Sequence, residues 1–149
     1  MRADCRLTVN VRPARDAAEV ETAMDLRMRV FVGEQGVDRD EELDGRDGEA
    51  IHIVALDESG VIATCRLRSV EPGVWKLERM AVEARFRDLG VGGRLLAGAE
   101  EEARARGARE MLLNAQLPAE PFYTSHGYQA EGEKFVEAGI EHIAMRKAL

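Results

Sequence analysis

Cysteine is scarce in this chain of 149 residues. Cys5 and Cys65 stand far apart and belong to no C-x-x-C or Cys/His spacing, so neither a disulfide framework nor a zinc site is indicated, no metal is expected, and reduced thiols are the simplest reading. Long apolar runs are missing as well. No stretch approaches the roughly 20 residues needed to span a bilayer, and Met1-Arg2-Ala3-Asp4-Cys5-Arg6 has no apolar core of signal-peptide length. A cytoplasmic protein without a membrane partner is therefore expected. Linkers, internal repeats and low-complexity tracts are absent too, and a chain that is 45% hydrophobic suits a single domain over residues 1–149. A domain of this size buries about 68–70% of its unfolded surface. Positive charge is in deficit: the net charge of −7 argues against a general nucleic-acid binder, although local arginines can still hold a small anion.

Such arginines surround the most informative stretch, Arg85-Phe86-Arg87-Asp88-Leu89-Gly90-Val91-Gly92-Gly93-Arg94. It joins a strand-like run over 77–82 to a helix-like run over 95–106. Three glycines let the backbone turn tightly and expose its N–H groups, the helix start adds partial positive charge, and Arg85, Arg87 and Arg94 add full charges. The combination predicts an anion site of phosphate type. A Walker A loop is excluded because no lysine follows the glycines, and the G-x-G-x-x-G fingerprint fails because Leu95 stands where its last glycine belongs. The plain alternative is a structural turn with solvated arginines.

Hydrophobic periodicity places the other elements. Leu7, Val9 and Val11 alternate as in a strand, and Pro13 punctuates the chain. Val20, Met24, Met28 and Phe31 predict one apolar helix face, ended by Gly33 or Gly36. An acidic, loop-like stretch over 38–49 follows, which reads first as a solvated charge run and otherwise as a feature that attracts a cationic amine. Residues 51–56 and 61–67 flank Asp57-Glu58-Ser59-Gly60 as a hairpin, and a third strand runs over 74–82. Beyond the glycines, Val91, Leu95, Leu96 and Ala99 mark the buried face of a helix and Glu100, Glu101, Arg104 and Arg106 its polar face, with Gly107 as the stop. A strand at 111–113, a short helix at 121–126 and strands at 128–136 and 142–146 complete a mixed α/β sandwich. Its β–loop–α unit fits a parallel crossover and the remaining strands antiparallel pairing.

Arg87-x-x-Gly90-x-Gly92 resembles the Q/R-x-x-G-x-G/A signature by which GCN5-related N-acetyltransferases (GNAT) hold the pyrophosphate of acetyl-CoA. Leu77-Glu78-Arg79-Met80-Ala81-Val82 is similar to that family's fourth strand, and Pro121-Phe122-Tyr123-Thr124-Ser125-His126-Gly127-Tyr128 to its FY-x-x-x-G-[FY] segment. Arg29-Val30-Phe31-Val32-Gly33-Glu34-Gln35 and Phe135-Val136-Glu137-Ala138-Gly139-Ile140-Glu141-His142 resemble the ElaA-type branch. The resemblance implies a mostly antiparallel mixed sheet with helices on both faces and a central β–loop–α acetyl-CoA site. It further implies acetyl transfer from acetyl-CoA to a primary amine, on a small molecule or peptide, by direct transfer in a ternary complex. A homodimer is compatible with it. A non-catalytic acyl-CoA-binding module, regulatory or protein-interacting, and a nucleotide-phosphate binder outside the family are the competing readings.

Transfer from a thioester to an amine needs a deprotonated nitrogen, a polarised carbonyl and a proton for the leaving thiolate. By resemblance, backbone groups of Met80, Ala81 and Val82 align the pantetheine arm. Arg87, Asp88, Leu89, Gly90, Val91, Gly92 and Gly93 hold the pyrophosphate, and Gln116 adds a cofactor contact. Tyr123 is the proton donor, since a phenol of pKa about 10 can protonate a thiolate. Glu78 is the base candidate; strand alternation would put it on one face with Met80 and Val82. Arg29, Glu34, Gln35 and His142 are the candidates for the acceptor wall, and His142 and His52 read equally well as hydrogen-bonded structural residues.

Overall fold

A computed structural model of the chain describes residues 8–149. Cys5 and Leu7 lie outside the described residues. β1 (Asn10–Pro13) leads into α1 (Ala17–Arg27), where the Asp16 carboxylate caps the first turn by accepting from the Glu19 amide at 2.9 Å. A π-helical segment (Met28–Glu34), α2 (Arg39–Glu42) and a 3-10 turn (Asp47–Glu49) then lead to β2 (Ile51–Asp57). β3 (Gly60–Glu71) and β4 (Val74–Val82) follow, and a glycine loop opens α3 (Val91–Ala105). β5 (Glu110–Gln116), α4 (Glu120–Ser125), β6 (Gln129–Glu137) and β7 (Ile140–Ala148) close the order.

The strands form one seven-stranded sheet, β1-β2-β3-β4-β5-β7-β6, antiparallel throughout except for the parallel pair β4–β5 joined by α3. The mixed, mostly antiparallel architecture with helices on both faces is the one expected. One face carries Ile53, Ala55, Ala63, Cys65 and Leu67 and is covered by Leu95, Leu96 and Ala99 of α3. Gly98 permits that contact, because a Cβ there would overlap Val11 of β1. On the opposite face Leu26, Val30, Phe31 and Val37 pack on Ala81.

Three expectations are corrected. The first helix does not bury Val20, Met24 and Met28; its buried residues are Ala23, Leu26 and Arg27, which continue with Val30 and Phe31 as one stripe at helical spacing, with Arg27 held inside by Glu42 and Asp47. The acidic stretch is not simply a solvated loop: it contains α2 and the 3-10 turn and supplies partners to buried arginines. Glu100 leaves the polar face of α3 and is buried, accepting from the Tyr128 hydroxyl at 2.8 Å and pairing with Lys147 at 3.0 Å.

Candidate active site at the parting of β4 and β5

Pairing between β4 and β5 covers only Val74–Glu110, Trp75–Met111 and Lys76–Leu112. Beyond those three pairs the strands part, and Leu77 to Val82 have no partner on that side. An open cleft of about 1130 Å³ occupies the space, bordered by β4, by Asn114 and Gln116 of β5, by Tyr123 of α4 and by the glycine loop. Parallel strands whose ladder stops midway leave backbone N–H and C=O groups facing a cavity, a surface suited to an extended amide-containing ligand.

The loop at the cleft's lower end is built for a tight approach. Asp88 (φ 64°) and Gly90 (φ 82°) are both left-handed, and Gly90 is the residue that opens α3. Phe86, Arg87, Asp88, Gly90, Gly92 and Gly93 line the cleft. A Cβ on Gly92 would lie 3.5 Å from the Phe122 ring, so a larger side chain there would project toward the ligand space. Of the three arginines flagged around the loop only Arg87 lines the cleft. Its Nε donates to the Val82 carbonyl at 2.9 Å, and its guanidinium pairs with Glu34 at 2.8 Å. Arg94 instead donates to the Val9 carbonyl at 3.0 Å, and Arg85 lies over the Phe86 ring. Leu89 is exposed and does not line the cleft, and Val91 is a core side chain that could meet a ligand only through its backbone.

Higher in the cleft, β4 is distorted. Thr64 faces Ala81 and Arg66 faces Glu78, which leaves Arg79 and Met80 opposite the single residue Cys65. This is a β-bulge, and Arg79 adopts a left-handed φ of 57°, a strained conformation for a residue with a Cβ. The bulge breaks the expected alternation. Glu78 shares its face with Ala81 and Arg66, and not with Val82, which pairs with Ala63 on the other face. Met80 packs against the α3-side core, where the Tyr123 hydroxyl donates to its sulfur at 3.5 Å. Burial pushes the Tyr123 phenol well above its ordinary pKa, with a smaller contribution from Cys65. It is therefore neutral, proton in place, throughout the working pH range.

Glu78 lies in a dense ionic network. Its Oε1 accepts from Arg68 Nε at 2.6 Å and from Arg66 Nη2 at 3.0 Å, and Lys76 stands 3.5 Å from Oε2. Burial works to raise the Glu78 pKa, but the Arg68 hydrogen bond and the charges of Arg66 and Lys76 outweigh it and hold the carboxyl below its usual value. Around it, Arg66 binds Asp44 at 2.6 Å and Asp47 at 3.1 Å, and Arg27 binds Glu42 and Asp47 at 2.6 Å each. Arg79 binds Glu42 at 2.9 Å. Arg27 and Arg66 are fully buried, so these carboxylates are required in place to neutralise them. Glu42, Asp44 and Asp47 are thus engaged with protein cations, which answers the expectation that the acidic stretch draws amines as free charge.

The acceptor-wall candidates divide. Gln35 and His142 line the cleft, and Gln35 accepts from Gln116 Nε2 at 2.8 Å, so a residue assigned to the cofactor and one assigned to the acceptor meet directly. His142 is opposite Gln116 in the β5–β7 register, with Nδ1 2.7 Å from the Ile140 carbonyl and its ring stacked on Phe135. Glu34 reaches the site through Arg87. Arg29, 55% exposed, pairs with Glu83 at 3.8 Å and does not line the cleft. His52 contacts the Asp47 carbonyl at 3.0 Å. Sequence reasoning missed Arg68, Lys76 and Asn114, all of which line the cleft. Their only sequence signal was position on the strands that flank the Glu78 and Gln116 segments. Among the described residues no three or more histidine, cysteine, aspartate or glutamate side chains gather as a metal site.

A family model described as acetyltransferase (GNAT) domain matches residues 19–149. The Bacillus subtilis protein named uncharacterized N-acetyltransferase YjcF is 40% identical over 135 residues, 90% of this chain and 96% of that protein. Among solved structures, an acyl-CoA N-acyltransferase from Pseudomonas aeruginosa superposes with a TM-score of 0.82 at 28% identity, covering 95% of this chain and 99% of that one. Escherichia coli ElaA shares the fold with a TM-score of 0.83 at 23% identity, over 94% and 99% of the two chains.

Proposed function

Because this chain belongs to the GNAT acetyltransferase family, we propose that it moves an acetyl group from acetyl-CoA to a primary amine by direct transfer in a ternary complex. The observation that carries the reading is the cleft itself. It runs without a break from the left-handed glycine loop at the start of α3, along the unpaired edge of β4, to the Tyr123 hydroxyl.

In this reading acetyl-CoA supplies the activated acetyl group, and the chain binds, aligns and handles protons. The amides of the 87–93 loop and the N-terminus of α3 hold the pyrophosphate. The backbone of Met80, Ala81 and Val82 holds the pantetheine arm against β4. Tyr123, which now donates to the Met80 thioether, has a hydroxyl already directed at a sulfur atom, and on ligand binding the leaving sulfur takes that place. Its high pKa keeps the proton available and makes hydrogen bonding to the developing thiolate its main contribution. Glu78 is ionised at neutral pH and too well stabilised to be a strong base. It therefore orients the incoming amine or the water that carries its proton away. Fixing both reactants contributes part of the roughly 7–11 kcal/mol available from proximity.

Calorimetric titration with acetyl-CoA, and with CoA, ATP and NAD for comparison, tests the reading. Selective binding of the CoA ester is expected. Gly92→Glu, which places a carboxylate beside the pyrophosphate, should weaken it by at least about tenfold, roughly 1.4 kcal/mol. Unaltered affinity in that variant would remove the loop assignment, and preference for ATP would support the nucleotide reading.

A further inference from the structure

Resting on the acetyl-transfer reading and deepening it, we propose that the acceptor bears a carboxylate as well as its amine, and that Arg46, Arg68 and Lys76 bind that carboxylate. All three line the cleft, and Lys76 lies on β4 six residues before Val82, where the strand leads to the glycine loop. Arg68 and Lys76 are direct cross-strand partners, and Arg66 and Glu78 form the neighbouring pair on the same face. On that face Arg66, Arg68 and Lys76 all contact Glu78; Arg66 is also held by Asp44 and Asp47, whereas Lys76, directly opposite Arg68, has Glu78 as its single ion-pair partner among the described residues. Like charges directly opposite on a sheet repel, so an added anion between Lys76 and Arg68 is favoured.

The surrounding ion pairs locate the deficit. Among the described residues the connected network contains six cations, Arg27, Arg46, Arg66, Arg68, Lys76 and Arg79, against five carboxylates, Glu42, Asp44, Asp47, Glu49 and Glu78. The interior members are closely paired, with Arg27 at 2.6 Å from Glu42 and Arg66 at 2.6 Å from Asp44. At the cleft Arg68 Nε is held by Glu78 at 2.6 Å, but the remaining donors make longer contacts. Lys76 Nζ is 3.5 Å from Glu78, Arg68 Nη1 is 3.6 Å from Glu49, and Arg46 Nη1 is 3.5 Å from the same Glu49 oxygen. The single surplus positive charge thus falls where donors are least engaged, and it matches a monoanion better than a phosphate dianion. Asp40 and Glu41 also line the cleft, exposed on α2, but form no ion pair with these three among the described residues.

Spacing limits the acceptor's length. Met80, beside the Tyr123 hydroxyl, is four residues from Lys76 along β4, at most about 13 Å at roughly 3.3 Å per residue, because the bulge at Arg79 and Met80 shortens the span. An acceptor with several bonds between amine and carboxylate fits that span; a compact α-amino acid does not.

The test compares triglycine with triglycinamide, and 6-aminohexanoate with hexylamine, at about pH 9 so that most of each peptide amine is unprotonated. The carboxylate member of at least one pair is expected to have a kcat/KM about tenfold higher. Lys76→Met should bring that ratio to about one, with acetyl-CoA affinity as the check on folding. Equal rates within both pairs, a ratio unmoved by Lys76→Met, or no acetylation of either carboxylate by protein that binds acetyl-CoA would each overturn the carboxylate site alone. Failure to bind acetyl-CoA would remove the acetyl-transfer reading and this inference with it.

Discussion

Tyr123 and Glu78 sit on opposite sides of the β4 bulge and differ in what surrounds them. Tyr123 is 8% exposed in apolar surroundings, which keep its proton on. Glu78 is surrounded by Arg66, Arg68 and Lys76, which keep its proton off. A pair of groups with pKa values driven apart is the usual basis for dividing proton donor from acceptor-side roles. Tyr123→Phe retains the edge-to-face contact with Phe122 at 5.0 Å and loses only the hydroxyl. Turnover should fall by about 10²–10⁴-fold while acetyl-CoA still binds; an unaffected kcat would take Tyr123 out of the mechanism. Glu78→Gln should lower kcat/KM and alter the acidic limb of its pH profile. If that limb keeps its shape, Glu78 has no part in moving the proton.

At the level of elements, the site depends on how α3 is seated. The helix must bring its N-terminus to the cleft and also cross β1 closely enough to cover the sheet, and Gly98 is where the second condition is met. Gly98→Ala would normally favour a helix through its propensity, by up to about 1 kcal/mol. Here the added methyl runs into Val11, and overpacking of this kind costs about 1–3 kcal/mol. The expected net result is a lower Tm, read by thermal unfolding; a higher Tm would show that β1 yields to the helix. The bulge in β4 is the second element-level device. It turns Met80 toward Tyr123 while leaving Glu78 on the opposite face, so one strand serves both the thioester side and the acceptor side.

Over the whole molecule, the buried arginines make stability depend on pH. Burial opposes ionisation of Asp47 and Glu78, yet Arg27, Arg66 and Arg68 hold both below their ordinary pKa, and Asp44 is held lower still by its hydrogen bond to Arg66. Groups with depressed native pKa stabilise the fold above their unfolded values, and that contribution is lost as pH falls through the native ones. Tm should be nearly level through the neutral range and fall progressively below about pH 4, near ordinary carboxylate pKa values. A Tm at pH 3 equal to that at pH 7 would show that these ion pairs do not stabilise the native state.

Local order was legible in the chain itself. The strand over 74–82, the glycine turn into α3, the hairpin of β2 and β3 and the tyrosine segment are set by residues adjacent in sequence, through backbone preference and hydrophobic period. The loop was legible from its glycines and arginines, whereas Glu78 and Tyr123 could be named through the resemblance of their segments to the family's fourth strand and tyrosine motif. What only the tertiary structure decided is how charges and strands from distant segments meet. Arg66 and Asp44 are neighbours because a loop folds back over a sheet, and nothing in either residue's local sequence marks it as the other's partner. The parting of β4 from β5 after three pairs, and the extra residue that turns Met80 away from Glu78, depend on register between strands. Register is fixed by side chains packing across the sheet, so the shape of the cleft follows from nonlocal contacts that a linear pattern does not contain.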